Sequence, residues 1–243
     1  MALHHNPRIV TDSLIMHLDA ADRNSYPGSG TAWYDLSGNG INAQHYGTDP
    51  TKLTFEDRFG GALKFDAASD NGSYPNPSEA YMRTTSDIPS LSSATVTAIF
   101  ENATLADGFT NTPSAGDCVI RMQNSDITIR PAGMVAVGTN YNDIQYVPST
   151  AIRDEMLLGN VEITTVVFTG TTVSLYRQGQ FVGTQTAPTS RVTEAGLLNI
   201  GTRNDANYEN FSGWIYNLSI YNRALTAQEV LQNYNATKTR FGL

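Results

Sequence analysis

A strand near the C-terminus constrains the fold more than any other feature of this chain. Between Trp214 and Tyr221, residues alternate in the directions that their side chains would take. Trp214, Tyr216, Leu218 and Ile220 would point to one side, and the residues between them to the other. A period of two is typical of a β-strand with one face in a hydrophobic core. The segment therefore predicts a long strand with at least one face buried.

A capped helix is predicted directly after this strand. Thr226 precedes Glu229 by three residues, which is the spacing of a capping box. Leu225 and Val230 stand where a hydrophobic staple needs them. The sequence predicts this one helix, residues 227–235, and no other.

The rest of the chain is typical of short strands joined by turns. Gly, Thr, Asn and Ser are frequent, and charged residues make up only 16% of the 243 residues. The length is within the range of one sandwich or barrel, and no internal repeat or linker divides the chain. We therefore predict two antiparallel sheets packed face to face. The expected strands are 13–19, 61–66, 80–85, 94–101, 117–123, 126–130, 133–138, 161–168, 172–177, 180–185, 196–201 and 212–221.

The motifs of the chain resemble those of laminin-G-like, concanavalin-type jelly-roll domains. Residues 213–230 match the pattern G-x-I-x-x-x-x-I-Y-N-R-A-L-[ST]-x-x-E-V that closes such domains, and residues 18–40 resemble the opening found in laminin-G-like proteins of tailed bacteriophages. Shorter matches lie at 61–66, 175–183 and 200–203. The resemblance implies an all-β, two-sheet antiparallel jelly-roll sandwich with a short C-terminal helix. Its expected boundaries are an arm at 1–12, the domain at 13–235 and a tail at 236–243.

Charge and cysteine content exclude several classes of partner. The formal net charge is −8 and the pI is near 4.9, so we expect neither nucleic acid nor an anionic membrane as a partner. No apolar segment is long enough to span a bilayer, and the N-terminus lacks the apolar core of a secretory signal. The single cysteine, Cys118, excludes an internal disulfide, suits a reducing cytoplasm, and is interpreted as a small buried hydrophobe.

The carboxylates are not spaced for catalysis. The relevant enzymes with the fold that the resemblance implies are glycoside hydrolases of the laminarinase type. They carry two carboxylates on one strand face, usually as E-x-D-x-E or E-x-D-x-x-E. Here Glu56–Asp57 and Asp154–Glu155 are adjacent pairs, which would face opposite sides of a strand. The four histidines are scattered and have no zinc-ligand spacing. We therefore expect no catalytic residue, no enzymatic activity and no metal centre.

One loop leaves a calcium site open as an alternative. Its oxygen-bearing residues lie in segments whose family counterparts sometimes hold calcium: Asp19, Asp35, Asn39 and Asn42. The preferred interpretation is an Asx-type turn built by Asp35, Ser37 and Asn39, with Gly38 and Gly40 in left-handed conformations. If these residues form the Asx-type turn, no cofactor is expected.

Aromatic residues of the first third of the chain suggest carbohydrate binding. Tyr and Trp rings stack on sugar faces while their polar tips donate hydrogen bonds. The members of this group are Tyr26, Trp33, Tyr34, Tyr46, Tyr74 and Tyr81. Trp33 and Trp214 occupy motif positions and are expected in the core. Tyr26 and Tyr74, beside Pro and Gly, are expected to be exposed and to bind the ligand, with Tyr74 as the glycan platform.

Two function classes follow from these observations. The preferred one is a non-enzymatic virion structural protein, a capsid decoration or a tail or fibre component, assembled in many copies in the host cytoplasm. It would dock on other virion proteins through residues 1–12 and 236–243, which include His4, His5, Arg8, Lys238 and Arg240. Its loops 66–80 and 102–116 would face outward toward cell-surface polysaccharide. The alternative is a glycan-active enzyme or a free carbohydrate-binding lectin.

Overall fold

The computed structural model describes residues 7–66, 80–104, 117–122, 127–133, 135–137, 144–157, 159–186, 192–204 and 207–243. In these residues two antiparallel sheets of eight strands pack face to face, which confirms the predicted all-β sandwich. Sheet A contains β1 (Leu14–Asp19), β4 (Leu53–Glu56), β5 (Ala62–Asp66), β7 (Ala94–Asn102), β12 (Val161–Phe168), β13 (Thr172–Arg177), β14 (Gln180–Thr186) and β18 (Ser212–Tyr221).

Sheet B is built from shorter strands. They are β2 (Ala32–Trp33), β3 (Ala43–His45), β6 (Met82–Thr84), β8 (Ile120–Met122), β9 (Thr128–Ile129), β10 (Val135–Val137), β11 (Ile144–Tyr146) and β15 (Leu198–Ile200). The strands β16 (Thr202–Asn204) and β17 (Asn207–Asn210) form a separate two-stranded ribbon. The helices are α1 (Thr150–Met156) and α2 (Ala227–Thr237), with 3-10 turns at Pro50–Lys52 and Lys238–Phe241.

The predicted strands are all present, and the missed elements are short ones. Strands β2, β3, β4, β11, β16 and β17 have two to four residues, too few for a period of two to stand out. Helix α1 is not predicted by the sequence. It packs Met156, which is fully buried, and the partly buried Ile152 against the core, and one such pair in seven residues gives no helical period.

The order of strands in sheet A places β18 in the middle. The sheet runs β14-β13-β12-β7-β18-β5-β4, and β1 pairs with the other half of β18. Thus β18 joins β7 on one side, and β5 and then β1 on the other. Its ten residues are all buried, because the inner face meets sheet B and the outer face is covered by the C-terminal segment.

A β-bulge divides β18 into two halves. Ile215 pairs with Phe100, but the next pair is Asn217 with Ile99, so one residue of β18 is extra. Ile215 and Leu218 therefore both point into the core between the sheets, although they are three residues apart. Trp214 and Tyr216 lie on the outer face with Phe241. The expectation that Trp214, Tyr216, Leu218 and Ile220 share one face is wrong, because the bulge reverses the alternation.

The last residues of the chain pack onto the sandwich. Residues 236–243, expected as a separate tail, continue α2 into the 3-10 turn, and Phe241 is buried. Arg240 donates hydrogen bonds to Asp19 Oδ1 (2.7 Å), to the Phe59 carbonyl (2.6 Å) and to the Gly61 carbonyl (2.7 Å). Its guanidinium is thus engaged within the domain, which leaves little of it for the docking contact that the sequence suggested.

The N-terminal segment is held by α2 and β18. The Val10 amide donates to Asn233 Oδ1 at 2.8 Å, and the Tyr221 hydroxyl donates to the Val10 carbonyl at 2.9 Å. His4 and His5 of the expected N-terminal arm lie outside the described residues.

Helix α2 begins as the sequence predicts. The Glu229 amide donates to Thr226 Oγ1 at 3.2 Å and the Thr226 amide donates to Glu229 Oε2 at 2.8 Å, which completes the capping box. Leu225 and Val230 are buried in one cluster, as a hydrophobic staple requires. Arg223 adds two hydrogen bonds to the Glu229 carboxylate, at 2.9 and 2.6 Å.

Glu229 is expected to make the stability of the fold depend on pH. The hydrogen bonds from Arg223, followed by that from the Thr226 amide, lower the pKa of Glu229 from 4.5 to about 2. As the pH falls, the Glu229 carboxylate of the unfolded chain is protonated before that of the folded chain. The stabilisation is therefore present above about pH 4.5 and is lost as the pH falls toward about 2. Glu229→Gln should therefore lower the free energy of unfolding by about 1 kcal/mol at pH 7 in urea titrations.

The difference between wild type and Glu229→Gln should shrink steadily as the pH is lowered through this window. Asp87→Asn, at an exposed carboxylate outside the helix, serves as the control for the loss of one negative charge. A Glu229→Gln difference that is equal at pH 7 and pH 3 would contradict the assignment.

Candidate functional site

The outer face of sheet B carries a row of polar side chains. Gln44 pairs with Arg83, Arg83 with Asn199, Asn199 with Arg121, and Arg121 with Thr128. Directly opposite residues of paired strands share one face, so these five residues form a line across β3, β6, β15, β8 and β9. Their neighbours along each strand, among them Ala43, Met82, Ile120, Ile129 and Ile200, lie in the core between the sheets.

The side chain of Arg83 is held by two hydrogen bonds and lies beside two aromatic rings. Its Nε donates to Asn199 Oδ1 at 2.9 Å, and its Nη2 donates to the Tyr81 hydroxyl at 3.4 Å. Its guanidinium carbon lies 4.3 Å from the ring centroid of Tyr46 and 5.5 Å from that of Tyr81. Hydrogen bonds within its plane and rings beside it fix the orientation of this guanidinium.

Exposure differs between the two tyrosines beside Arg83. Tyr81 is 3% exposed, whereas Tyr46 is 59% exposed, and their ring centroids are 5.8 Å apart. Arg83 itself is 8% exposed and Asn199 is fully buried. The face therefore has a rigid polar floor at Arg83 and Asn199 and an accessible aromatic ring at Tyr46.

The face is also rich in arginine, although the chain is acidic. Arg83 and Arg121 belong to the row, and Arg130, which is buried, directly follows β9. The carbonyl of Arg203, on β16, accepts a hydrogen bond from Asn199 Nδ2 at 3.2 Å. Guanidinium, amide and hydroxyl groups next to an exposed ring are suited to holding a ligand with several oxygen atoms.

The structure overturns the expectation for Tyr26. Its side chain is 2% exposed, its ring stacks on Phe55 with centroids 5.7 Å apart, and its hydroxyl donates to the Gly30 carbonyl at 2.7 Å. Burial also raises the pKa of Tyr26. A buried ring whose hydroxyl is already hydrogen-bonded cannot serve as an exposed ligand platform.

The other expected binding residue, Tyr74, lies outside the described residues. So do residues 67–79 and 105–116, which make up nearly all of the two loops expected to face outward. Trp33, Trp214 and Cys118 are buried, as predicted. Arg83 and Asn199 were missed as site residues, and the available signal was the presence of Tyr46 and Tyr81 in the aromatic group.

The loop around Asp35 adopts the expected turn. Asp35 Oδ1 accepts from the amides of His17 (2.8 Å) and Ser37 (2.9 Å), and Oδ2 accepts from Ser37 Oγ (2.7 Å) and the Ile41 amide (3.2 Å). Gly38 and Gly40 have φ values of 90° and 72°. These contacts match the Asx-type interpretation, with both carboxylate oxygens engaged by protein donors.

The remaining candidate calcium ligands serve other contacts. Asp19 accepts from Arg240, and Asn42 Oδ1 accepts from the Asp35 amide at 2.9 Å. In the part of the chain that the structure describes, no three His, Cys, Asp or Glu side chains form a group that could hold a metal ion. Nor does any described helix have the length and apolar character needed to cross a membrane.

Comparison with solved structures finds the same fold in several other proteins. Domain 4 of AbnA, a GH43 extracellular arabinanase from Geobacillus stearothermophilus, superposes with a TM-score of 0.63 at 17% identity, over 91% of this chain and 98% of that one. The binding domain of botulinum neurotoxin DC gives 0.63 at 13%, over 93% of this chain and 52% of that one. The ligand-binding domain of botulinum neurotoxin serotype D gives 0.60 at 14%, over 93% and 51%. This chain thus spans about half the length of the two neurotoxin domains.

Sequence comparison assigns the family. No curated protein sequence matches the chain. Residues 79–231, more than half of the chain, match the laminin-G family described as the concanavalin A-like lectin/glucanases superfamily. The fold, the strand order and this match agree, and the chain therefore belongs to the concanavalin A-like lectin/glucanases superfamily.

Proposed function

We propose that this protein is a non-enzymatic glycan-binding module whose ligand lies on the outer face of sheet B. The observation that carries the proposal is the fixed guanidinium of Arg83, hydrogen-bonded to Asn199 and placed beside the exposed ring of Tyr46. A sugar ring would stack on Tyr46 through its C–H face. Its hydroxyl or carboxylate oxygens would accept hydrogen bonds from the polar row.

The chemistry of the row favours binding over hydrolysis. A glycosidase of the two-carboxylate type needs one carboxyl group as acid and another as nucleophile or base, on either side of the scissile bond. The row instead consists of amide, guanidinium and hydroxyl groups, of which Gln44 and Arg121 reach the surface, whereas Arg83, Asn199 and Thr128 are buried. These groups donate hydrogen bonds well, but they neither release nor accept a proton readily near pH 7.

Two of the similar structures support a glycan as the ligand. The AbnA domain was solved in complex with arabinotriose, and the serotype D domain in complex with N-acetylneuraminic acid. These two ligands differ in charge, since one is neutral and the other carries a carboxylate. The arginines of the present face suit the second kind as well as the first.

The proposed setting of this module is a virus particle. The opening motif at residues 18–40, with Ser25–Gly30 and Trp33–Gly40, supports a capsid decoration or a tail or fibre component of a tailed phage. In that setting the protein would be assembled in the host cytoplasm, present in many copies beside other virion proteins, and directed at cell-surface polysaccharide. Mass spectrometry of purified virus particles tests this setting directly. Absence of the protein from the particles would refute the virion role.

Glycan binding is tested by comparing two exposed aromatic positions. Tyr46→Ala removes the accessible ring beside Arg83, and should weaken binding to an array of bacterial surface glycans by about tenfold or more. Phe181→Ala is the control, because Phe181 is similarly exposed, at 57%, but lies on β14 of sheet A.

Equal binding of wild type, Tyr46→Ala and Phe181→Ala to every glycan on the array would argue against the sheet B face. Arg83→Lys gives a second measurement at the floor of the face. It keeps the charge and loses the planar fork, so it should weaken binding while leaving the net charge of the protein unchanged.

A further inference from the structure

A cavity lies on the outer face of the other sheet, remote from the row on sheet B. Its volume is about 220 Å³, and its walls include Arg58, Phe59, Glu101, Asn160, Val161 and Phe241. Pockets for drug-sized ligands run from about 300 to 1,000 Å³. This cavity is therefore sized for a ligand of one ring rather than for a chain of rings.

The floor of the cavity is a buried carboxylate held in one orientation. Glu101, at the end of β7, is 6% exposed. One of its oxygens accepts from Arg58 Nη2 at 2.5 Å, and the other accepts from the Tyr216 hydroxyl at 2.6 Å. Burial, followed by the contact with Glu101, raises the pKa of Tyr216, so its hydroxyl stays protonated as a donor at neutral pH.

Arg58 supplies donors beside this carboxylate. Its guanidinium carbon lies 3.9 Å from the ring centroid of Trp214, and the indole Nε1 of Trp214 donates to Glu56 Oε2 at 2.8 Å. One third of the Arg58 side chain remains exposed. The guanidinium is thus held between the Trp214 ring and the Glu101 carboxylate.

One wall of the cavity is an exposed aromatic ring in a strained backbone. Phe59 is 43% exposed and has a φ of 46°, which bulky residues rarely adopt. Its ring packs edge-on against Tyr216 and Phe241, with centroid distances of 5.8 and 5.5 Å. Strained residues that the surroundings hold in place are often found at ligand sites.

We propose that this cavity binds one neutral sugar ring or a polyol of the same size. The Arg58–Glu101 pair has no net charge, so it favours an uncharged ligand. It also presents a donor next to an acceptor, which matches two neighbouring hydroxyls, since each hydroxyl both donates and accepts. Phe59 offers a surface for the C–H face of the ring. The site is independent of the sheet B face and would make the module bivalent.

The test is a titration of the isotopically labelled full chain with methyl α-D-glucopyranoside, methyl α-D-mannopyranoside and methyl β-D-galactopyranoside, followed by amide NMR. Binding in the cavity should shift the amides of Gly159, Asn160 and Val161 in a saturable way with at least one of these sugars. Phe59→Ala should weaken that binding about tenfold or more, whereas Phe181→Ala should leave it unchanged.

Glu101→Gln gives a second variant of the same shape, and an amide spectrum otherwise like that of wild type shows that it is folded. It should also weaken binding, because the carboxylate acceptor is lost. The inference is overturned if none of the three sugars shifts these amides, or if Phe59→Ala binds as wild type does. Shifts confined to Arg83 and Asn199 would likewise overturn it while supporting the sheet B face, so the two proposals fail separately.

Discussion

Gly61→Ala is expected to lower the free energy of unfolding by about 4 kcal/mol, a large part of the stability of an ordinary domain. Gly61 has a φ of 152°, and a Cβ atom there would lie 2.5 Å from the Ala20 carbonyl oxygen and 2.8 Å from the Ala21 Cα. These are backbone atoms next to β1, so neither can rotate away. The strand β5 that follows Gly61 would have to move from its place beside β18.

The neighbouring residue offers a matched control for this substitution. Gly60 also has a positive φ, of 84°, but a Cβ there would meet only the Ala21 methyl group, at 3.7 Å. Gly60→Ala should therefore cost about 1–2 kcal/mol, from backbone strain alone. Urea titrations of both variants measure the difference. Equal losses would show that the close approach to Ala20 is not what requires glycine at position 61.

Asp35→Ala is the second substitution with a large expected effect, also about 4 kcal/mol in the free energy of unfolding. The carboxylate accepts four hydrogen bonds, three of them from backbone amides, and hydrogen bonds to charged groups contribute about 1.5–3 kcal/mol each. The amides of His17 and Ile41 would lose this acceptor, and the loop would lose its contact with β1. Asp35→Asn retains one carbonyl oxygen and should cost about half as much.

Thermal unfolding with and without calcium completes this experiment. Because protein donors engage both oxygens of Asp35, added calcium should leave the melting temperature of wild type unchanged. A rise with calcium that disappears in Asp35→Asn would contradict the Asx-turn assignment and restore the calcium site. The same titration on Glu229→Gln, which weakens the cap of α2 and leaves all four candidate calcium ligands in place, controls for general loss of stability.

The sequence predicted the long strands of sheet A and missed the four-residue β4. Strands β7, β12 and β18 each have eight to ten residues, and α2 carries both a capping box and a staple. The bulge in β18 was not predictable from the alternation. It is established by the pairing of Asn217 with Ile99 and by the burial of Trp214 and Tyr216 against Phe241, and both contacts are made across long stretches of chain.

The site was harder to predict than the fold because its residues come from strands of two or three residues. Arg83 and Asn199 are far apart in the sequence, and neither stands in a run long enough to show which face it occupies. The prediction that Tyr26 is exposed was wrong for a local reason. Pro27 and Gly28 predict an exposed turn, but the Tyr26 hydroxyl closes that turn on Gly30 and its ring stacks inward on Phe55.

The central place of β18 has a consequence for how the chain acquires its structure. Leu18 pairs with Leu218 and Val96 with Ile220, so the middle of sheet A can form only after residues 212–221 have left the ribosome. Until then, the edges of β5 and β7 that will later pair with β18 stay unpaired, and their apolar side chains stay exposed. Such edges can pair with strands of other chains. Pairings this distant in sequence also slow folding. The hazardous period for aggregation is therefore synthesis itself, and ribosome-associated chaperones would be needed most just before residues 212–221 emerge.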